Sequence, residues 1–376
     1  LKKKLAYVVA TPQTYLAFLK GHAEVLCDDY DITLLADFVS EPGVTGFDVV
    51  KTIQVGLPRK ISIVHDLAAL ISLIGILRAG KFDIVHSITP KAGLLANVAG
   101  LLARSPVRVH TYTGQVWATR RGFSRWLLKT MDKITLSSTT HALADSRSQA
   151  KFLTSEGFLK QIRVLGDGAI TGVDTKRFRP DEVVCRAVRQ QHGLATDDFV
   201  FVFLGRLNRD KGVMDLLEGF ARADLDPSCK LLIVGPDEGG LAEVIKQSPL
   251  CKAGRVVLAG RSSQPERELN AGDALCVPSY REGFGMSVLE AATIGLPAIA
   301  SRIYGLTDAV VEGETGIIHD AGNIEEIASC LSAFAADPAR VRRMGKAARA
   351  RVIDAFSPER VTGDLRAFYS ELCTDE

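Results

Sequence analysis

Residues 200–212 read Val200-Phe201-Val202-Phe203-Leu204-Gly205-Arg206-Leu207-Asn208-Arg209-Asp210-Lys211-Gly212. The first five form a short apolar run, the pattern of a strand covered on both faces in a parallel sheet. Gly205 then lets the chain turn, and a helical pattern follows near Gly212. Working outward, similar runs at 231–234, 256–259, 274–278, 297–300 and 316–319 alternate with helix-like stretches. Before it, runs at 5–10, 31–35, 84–86, 108–111 and 142–145 alternate with helical patterns at 66–78, 92–104 and 124–137. Strand–helix alternation of this kind predicts α/β architecture with parallel sheets.

The two series predict two doubly wound, Rossmann-like domains. The expected domains are residues 1–170 and 171–356, with the helical tail 357–376 crossing back to the first. The join falls near the Gly-, Asp- and Pro-rich stretch from Gly166 to Pro180, and 168–174 is the expected hinge. Of 376 residues, 47% are hydrophobic and 24% charged, which allows two sizeable cores and excludes a disordered chain. The formal net charge is +2, but residues 1–170 carry eight more cations than acids and residues 171–376 six fewer. A basic first half can face an anionic partner.

Seven scattered cysteines without a C-x-x-C pair argue against a disulfide framework or zinc site and point to a reducing, cytoplasmic compartment. No apolar run reaches the roughly 18–20 residues that span a bilayer, and 67–77 reads as a buried helix. Lys2-Lys3-Lys4 imitates a signal n-region, but 5–10 is too short for an h-region and reads as a strand. The first residue is Leu1, so a few native residues are expected to be missing or replaced.

Two constellations suit chemistry. In the first, Gly205 permits close backbone approach while Arg206 and Lys211 converge beyond a strand's carboxyl end, where open α/β sheets bind ligands. Arg for forked hydrogen bonds and Lys as a point charge suit a diphosphate. The same residues also read as a charged turn. In the second, Glu282-Gly283-Phe284-Gly285 leads into a helix carrying Glu290. The two glycines bare backbone N–H groups at a helix start, a cradle for oxygen atoms. Eight residues rotate a helix about 80° beyond two turns, so the glutamates need not meet the same atoms. A first-turn acid plus a solvated Glu remains the plain alternative.

G-R-x4-K-G followed by E-x7-E, with Gly172-Val173-Asp174, Phe178, Gly295-Leu296-Pro297 and Gly313-Glu314-Thr315-Gly316, resembles the retaining family-4 glycosyltransferases of GT-B fold. His86-Ser87-Ile88-Thr89-Pro90-Lys91-Ala92-Gly93 resembles the branch that builds capsule, O-antigen and other lipid-linked glycans. The resemblance implies two Rossmann-like domains facing across a cleft, with Arg206 and Lys211 neutralising the departing diphosphate and Glu290 binding ribose. It implies that Glu282 and the Gly283-Phe284-Gly285 amides hold the donor sugar, with Gly260-Arg261 near the base. The donor is then a nucleotide sugar, a UDP-sugar by family habit, and the acceptor a glycan or polyprenyl-diphosphate-linked glycan. Neither a metal nor another cofactor is implied, and no Asp-x-Asp motif is present. A front-face displacement fits better than a double one, because no residue nominates itself as nucleophile.

Two departures from that family concern the first half. Thr11-Pro12-Gln13-Thr14 replaces a glycine-rich loop, and Thr113 stands where an acceptor-loop His is common. The expected acceptor contacts are Thr11, His86, Lys91, Thr113, Gly114 and Gln115; His110 reads equally as a core histidine, and 86–91 as a plain strand–loop–helix connection. Arg121, Arg125, Lys129 and Lys133 recur every four residues beside Arg120, opposite Phe123, Trp126, Leu127, Met131 and Ile134. This stripe suits anionic lipid headgroups at a membrane surface; a solvated helix packed on the core is the alternative. No nucleic-acid motif appears. A sugar-nucleotide epimerase of the same architecture, or a non-catalytic sugar-nucleotide-binding subunit, remains open on sequence.

Overall fold

The computed structural model describes residues 2–57 and 62–374, and the chain divides into two compact units, Leu1–Gly172 with Pro358–Glu376, and Val173–Ser357. The first unit is built on a sheet of seven strands among the described residues. These are β1 (Lys3–Val8), β2 (Tyr30–Ala36), β3 (Lys51–Gln54), β4 (Ile84–Ile88), β5 (Val107–Tyr112), β6 (His141–Ala144) and β7 (Ile162–Arg163). Their order is β3-β2-β1-β4-β5-β6-β7, and every pairing is parallel. The second unit carries β8 (Phe199–Leu204), β9 (Cys229–Val234), β10 (Val256–Gly260), β11 (Ala274–Val277), β12 (Ala298–Ser301) and β13 (Gly316–His319). Their order is β10-β9-β8-β11-β12-β13, again all parallel.

Both sheets are therefore doubly wound, with order reversing between β1 and β4 in one and between β8 and β11 in the other. Such reversals open a crevice beyond the carboxyl ends of the two strands concerned. The central strands are apolar on both faces because helices cover both: Phe201, Phe203, Leu231, Ile233 and Cys276 lie in the core of the second unit.

Six helices concern the sites: α1 (Ile63–Gly80), α2 (Pro90–Ala103), α3 (Gly122–Ser138), α4 (Val213–Arg222), α5 (Met286–Ile294) and α6 (Pro358–Thr374). Pro90 occupies the first turn of α2, where its missing N–H costs nothing. α6 belongs to the first unit, where Leu365, Phe368, Tyr369 and Leu372 join the core under β1, β2 and β4.

Two expectations need correction. The edge strands β3 and β7 escape a reading that seeks apolar runs; Lys51-Thr52-Ile53-Gln54 is mostly exposed, and β7 has two residues. The run 67–77 is not a buried helix. It lies inside α1, which has a mean hydropathy of 1.7 and is long and apolar enough to cross a membrane by length and composition, yet only 17% of it is buried. All seven cysteines are free thiols, and they remain scattered.

Candidate functional site

In the second unit the loops after β8 and β11 meet at the switch point. Gly212 makes the meeting possible. Its φ is +66°, and a Cβ there would lie 2.0 Å from the Pro278 carbonyl oxygen. No other residue fits that approach without moving backbone. Asn208 accepts a hydrogen bond from the Lys211 N–H, 3.2 Å, closing a single 3₁₀ turn that presents the Lys211 side chain. Tyr280 N–H donates to Asp210 O at 2.8 Å, a second tie between the loops.

The Lys211 ammonium donates to Glu282 Oε1 at 2.5 Å, and the Ser279 hydroxyl donates to the same oxygen at 2.8 Å. The Lys211 and Glu282 side chains are 19% and 13% exposed, so the pair is substantially withdrawn from water. Arg281 reaches Asp210 at 3.3 Å beside them. Gly285, at φ +93°, turns the chain into α5, whose N-terminus has no side-chain cap.

The remaining donor-side residues are placed separately. Arg206 follows β8 and pairs with Glu238 at 2.9 Å on the surface. Glu290 sits on α5 with Arg177 and Glu266 as its charged neighbours; burial pushes its carboxyl up to about 7, against a smaller opposing pull from Arg177. Arg177 itself is held by Glu266 at 2.7 Å. Gly260 ends β10 and accepts from the Gly235 N–H at 2.8 Å, leaving Arg261 exposed. The structure thus joins Lys211 directly to Glu282, pairs Arg206 with Glu238, and buries Glu290 near Arg177 and Glu266. Glu238, Arg177 and Glu266 were not assigned from sequence, since pairings across 32 to 89 positions leave no local pattern; Ser279, three residues before Glu282, was also not assigned.

In the first unit the acceptor candidates divide. His86 is core: Nδ1 meets the Tyr369 hydroxyl at 2.5 Å, Nε2 meets the Thr111 hydroxyl at 2.8 Å, and burial holds its pKa down to about 3. A neutral imidazole with both nitrogens engaged under α6 is not an open ligand contact, which corrects that expectation. His110 is also core, bonded to Ser87 Oγ at 3.0 Å, with its pKa held at about 3 by burial. Gln115 turns inward: its amide donates to the Thr113 carbonyl at 2.7 Å, and Gln149 bonds both residues. Gly114 is buried between them. Thr11 and Lys91, by contrast, line one groove at the β1–β4 reversal, where Lys91 pairs with Asp66 at 2.6 Å.

Two cations of the basic stripe on α3 turn onto the protein, while Arg120, Arg121 and Lys133 stay exposed. Arg125 and Lys129 both bind Glu156, at 2.7 and 2.5 Å, and lie over the Trp117 ring; Lys133 lies over Phe158. Their stems cover aromatic surface of the same unit. Phe123 and Trp126, 73% and 60% exposed, stack on each other at the outer face, with Arg120 and Arg121 exposed just before them.

Residues 186–351 match the family model described as glycosyl transferases group 1, and residues 14–168 match a glycosyl transferase 4-like domain. The capsular polysaccharide biosynthesis glycosyltransferase CapM of Staphylococcus aureus is 30% identical over 323 residues, covering 84% of this chain and 83% of the relative. The chain is a glycosyltransferase of this family. The enzyme is also similar to the UDP-Gal:alpha-D-GlcNAc-diphosphoundecaprenol alpha-1,3-galactosyltransferase of Escherichia coli, 26% identical over 327 residues, 85% of this chain and 83% of that one. Its fold matches the crystal structure of Anabaena HepE in complex with UDP, with a TM-score of 0.78 and 19% identity over 99% of this chain and 100% of that one. The architecture of this glycosyltransferase is GT-B.

Proposed function

We propose that this glycosyltransferase moves a sugar from a UDP-sugar onto a polyprenyl-diphosphate-linked glycan during cell-surface polysaccharide synthesis, with retention and without a metal. The observation that carries the reading is the Lys211–Glu282 pair, set with the Gly283–Gly285 turn at the β8–β11 switch point. Lys211 and Arg206 take up the charge that develops on the diphosphate as the glycosyl–oxygen bond breaks. Cations fixed in advance favour that transition state over the bound donor. Glu282 and the amides before α5 hold the sugar, and Glu290 accepts or donates to ribose hydroxyls. Its carboxyl, raised to about 7, holds a proton over much of the neutral range and can do either.

In the front-face course, the C1–O bond to phosphate breaks as the acceptor oxygen bonds to C1 on the same face. The acceptor's proton passes to the leaving phosphate oxygen. The E. coli relative's diphosphoundecaprenol acceptor supports a lipid-linked substrate here, and the UDP in the HepE complex supports the base. The exposed Phe123–Trp126 pair beside Arg120 and Arg121 supports peripheral attachment at the cytoplasmic face of a membrane, since aromatic rings and cations favour the headgroup zone.

The test is a panel of nucleotide sugars with and without polyprenyl-diphosphate-linked acceptor, read by UDP release and product NMR. Acceptor-dependent UDP release with an α-linked product from an α-donor is expected. An altered free nucleotide sugar would mean epimerisation instead, and an inverted product would overturn retention.

A further inference from the structure

The first unit has its own switch point, between β1 and β4, and a groove of about 690 Å³ opens there. That volume is in the range of sites for small organic ligands. Its two ends differ in chemistry. Thr11 follows β1 and Thr14 lies on the short helix Pro12–Phe18, while Thr89 follows β4 and Lys91 sits in the first turn of α2. Thr89 holds φ +76°, a conformation that a β-branched residue adopts rarely and at a cost, and its buried hydroxyl has no hydrogen-bond partner among the described residues. The walls are apolar, with Leu67 on α1, Leu94 on α2, and Leu128 and Met131 on α3.

The apolar lining does not stop at the rim. Ile63 and Leu67 line the groove yet are 84% and 56% exposed, and Val64 and Ile71 continue the same surface along α1. An outer face this apolar on a helix this exposed has no use in water. A soluble glycan would leave these walls dry and unmatched. A molecule polar at one end and hydrocarbon at the other matches both ends of the groove and the strip that leads into it.

We propose that this groove seats the isoprenoid chain of the acceptor where it joins its phosphates, the phosphates at the Thr11–Thr14–Lys91 end and the hydrocarbon between α1, α2 and α3. The assignment rests on the lipid-linked acceptor reading and adds the site to it. Each methylene buried there raises affinity about fourfold. Lys91 exchanges Asp66 for the phosphate when the groove fills.

The chain's two tryptophans make the test direct, because Trp117 lines the groove and Trp126→Phe leaves it as the sole reporter. Farnesyl diphosphate is titrated against this variant, with inorganic diphosphate as the control. Saturable quenching of Trp117 by the farnesyl compound at a concentration at least tenfold below any effect of inorganic diphosphate is expected. Leu67→Gln with Met131→Gln, both at the groove wall, should weaken it at least tenfold while the melting temperature stays within a few degrees. Equal responses to the two diphosphates, no response, or a response unchanged in the wall variant would each overturn the seat. Transfer assays separate the two readings. Chain-selective quenching without acceptor-dependent transfer leaves the seat standing and removes the transfer reading, whereas transfer with equal KM for short- and long-chain acceptors removes the seat alone.

Discussion

Replacing Lys211 by alanine separates the catalytic from the structural weight of its ion pair. The pair is short, 2.5 Å, and both side chains are less than one-fifth exposed. Losing the ammonium leaves Glu282 with the Ser279 hydroxyl as its remaining hydrogen-bond donor on Oε1. Leaving a charged, half-satisfied carboxylate in that position costs about 1–3 kcal/mol. A unit of this size shifts its melting temperature by about 2–4 °C per kcal/mol, so a fall of roughly 2–12 °C is expected and the protein stays folded. Catalysis suffers more. Removing one fixed group that stabilises transition-state charge typically lowers the rate by about 10²–10³. Acceptor-dependent UDP release, measured below the new melting temperature with a verified donor, should therefore drop by that factor, while Lys211→Arg recovers part of it. Turnover within about threefold of the unaltered enzyme would refute the diphosphate clamp. So would a rate loss fully accounted for by the unfolded fraction at the assay temperature.

Glu290→Gln should flatten the pH dependence of stability between the ordinary carboxyl value of 4.5 and about 7, because burial makes the folded state keep a proton that the unfolded state has lost. Stability in the unaltered protein then falls as pH rises through that window, and melting temperatures at pH 4.5, 6 and 7.5 check the sign. His86→Ala leaves the buried Tyr369 and Thr111 hydroxyls without their shared partner and should cost about 1–3 kcal/mol in denaturant unfolding. Its KM for acceptor should stay near normal, and a selective rise in that KM would return His86 to the acceptor site. Phe123→Ser with Trp126→Ser should lower co-sedimentation with anionic vesicles severalfold and leave the melting temperature within about 1 °C, since both rings are exposed. Undiminished binding would move membrane attachment elsewhere.

The fold was legible because its central strands are continuous apolar runs punctuated by glycine, as at 200–205 and 231–235, and parallel sheets demand that pattern. The strands without it, β3 and β7, owe their place to a neighbour's ladder rather than to their own residues. Side-chain direction was less legible. The four-residue spacing of Arg121, Arg125, Lys129 and Lys133 establishes a common helix face but not what that face meets. Glu156 and Trp117 draw two of these cations inward, and neither partner belongs to the repeat. Hydropathy misled in α1 for the same reason, as an apolar run records affinity for a dry surface without saying whether the protein supplies it. In the donor region the motif residues were visible singly. That Lys211 and Glu282 touch depends on a glycine at 212 admitting a carbonyl from 66 positions later.

The placement of α6 bears on how the chain is made. Phe368, Tyr369 and Leu372 complete a core whose earlier buried members run from Leu5 to Leu143, while the whole of Val173–Ser357 intervenes. During synthesis the stretch made before Val173 therefore waits for α6, and the unit made between them can finish its own core sooner. A chain ending before Pro358 would keep all of Val173–Ser357 and leave the earlier-made unit an open, sticky intermediate, a natural substrate for chaperones and proteases.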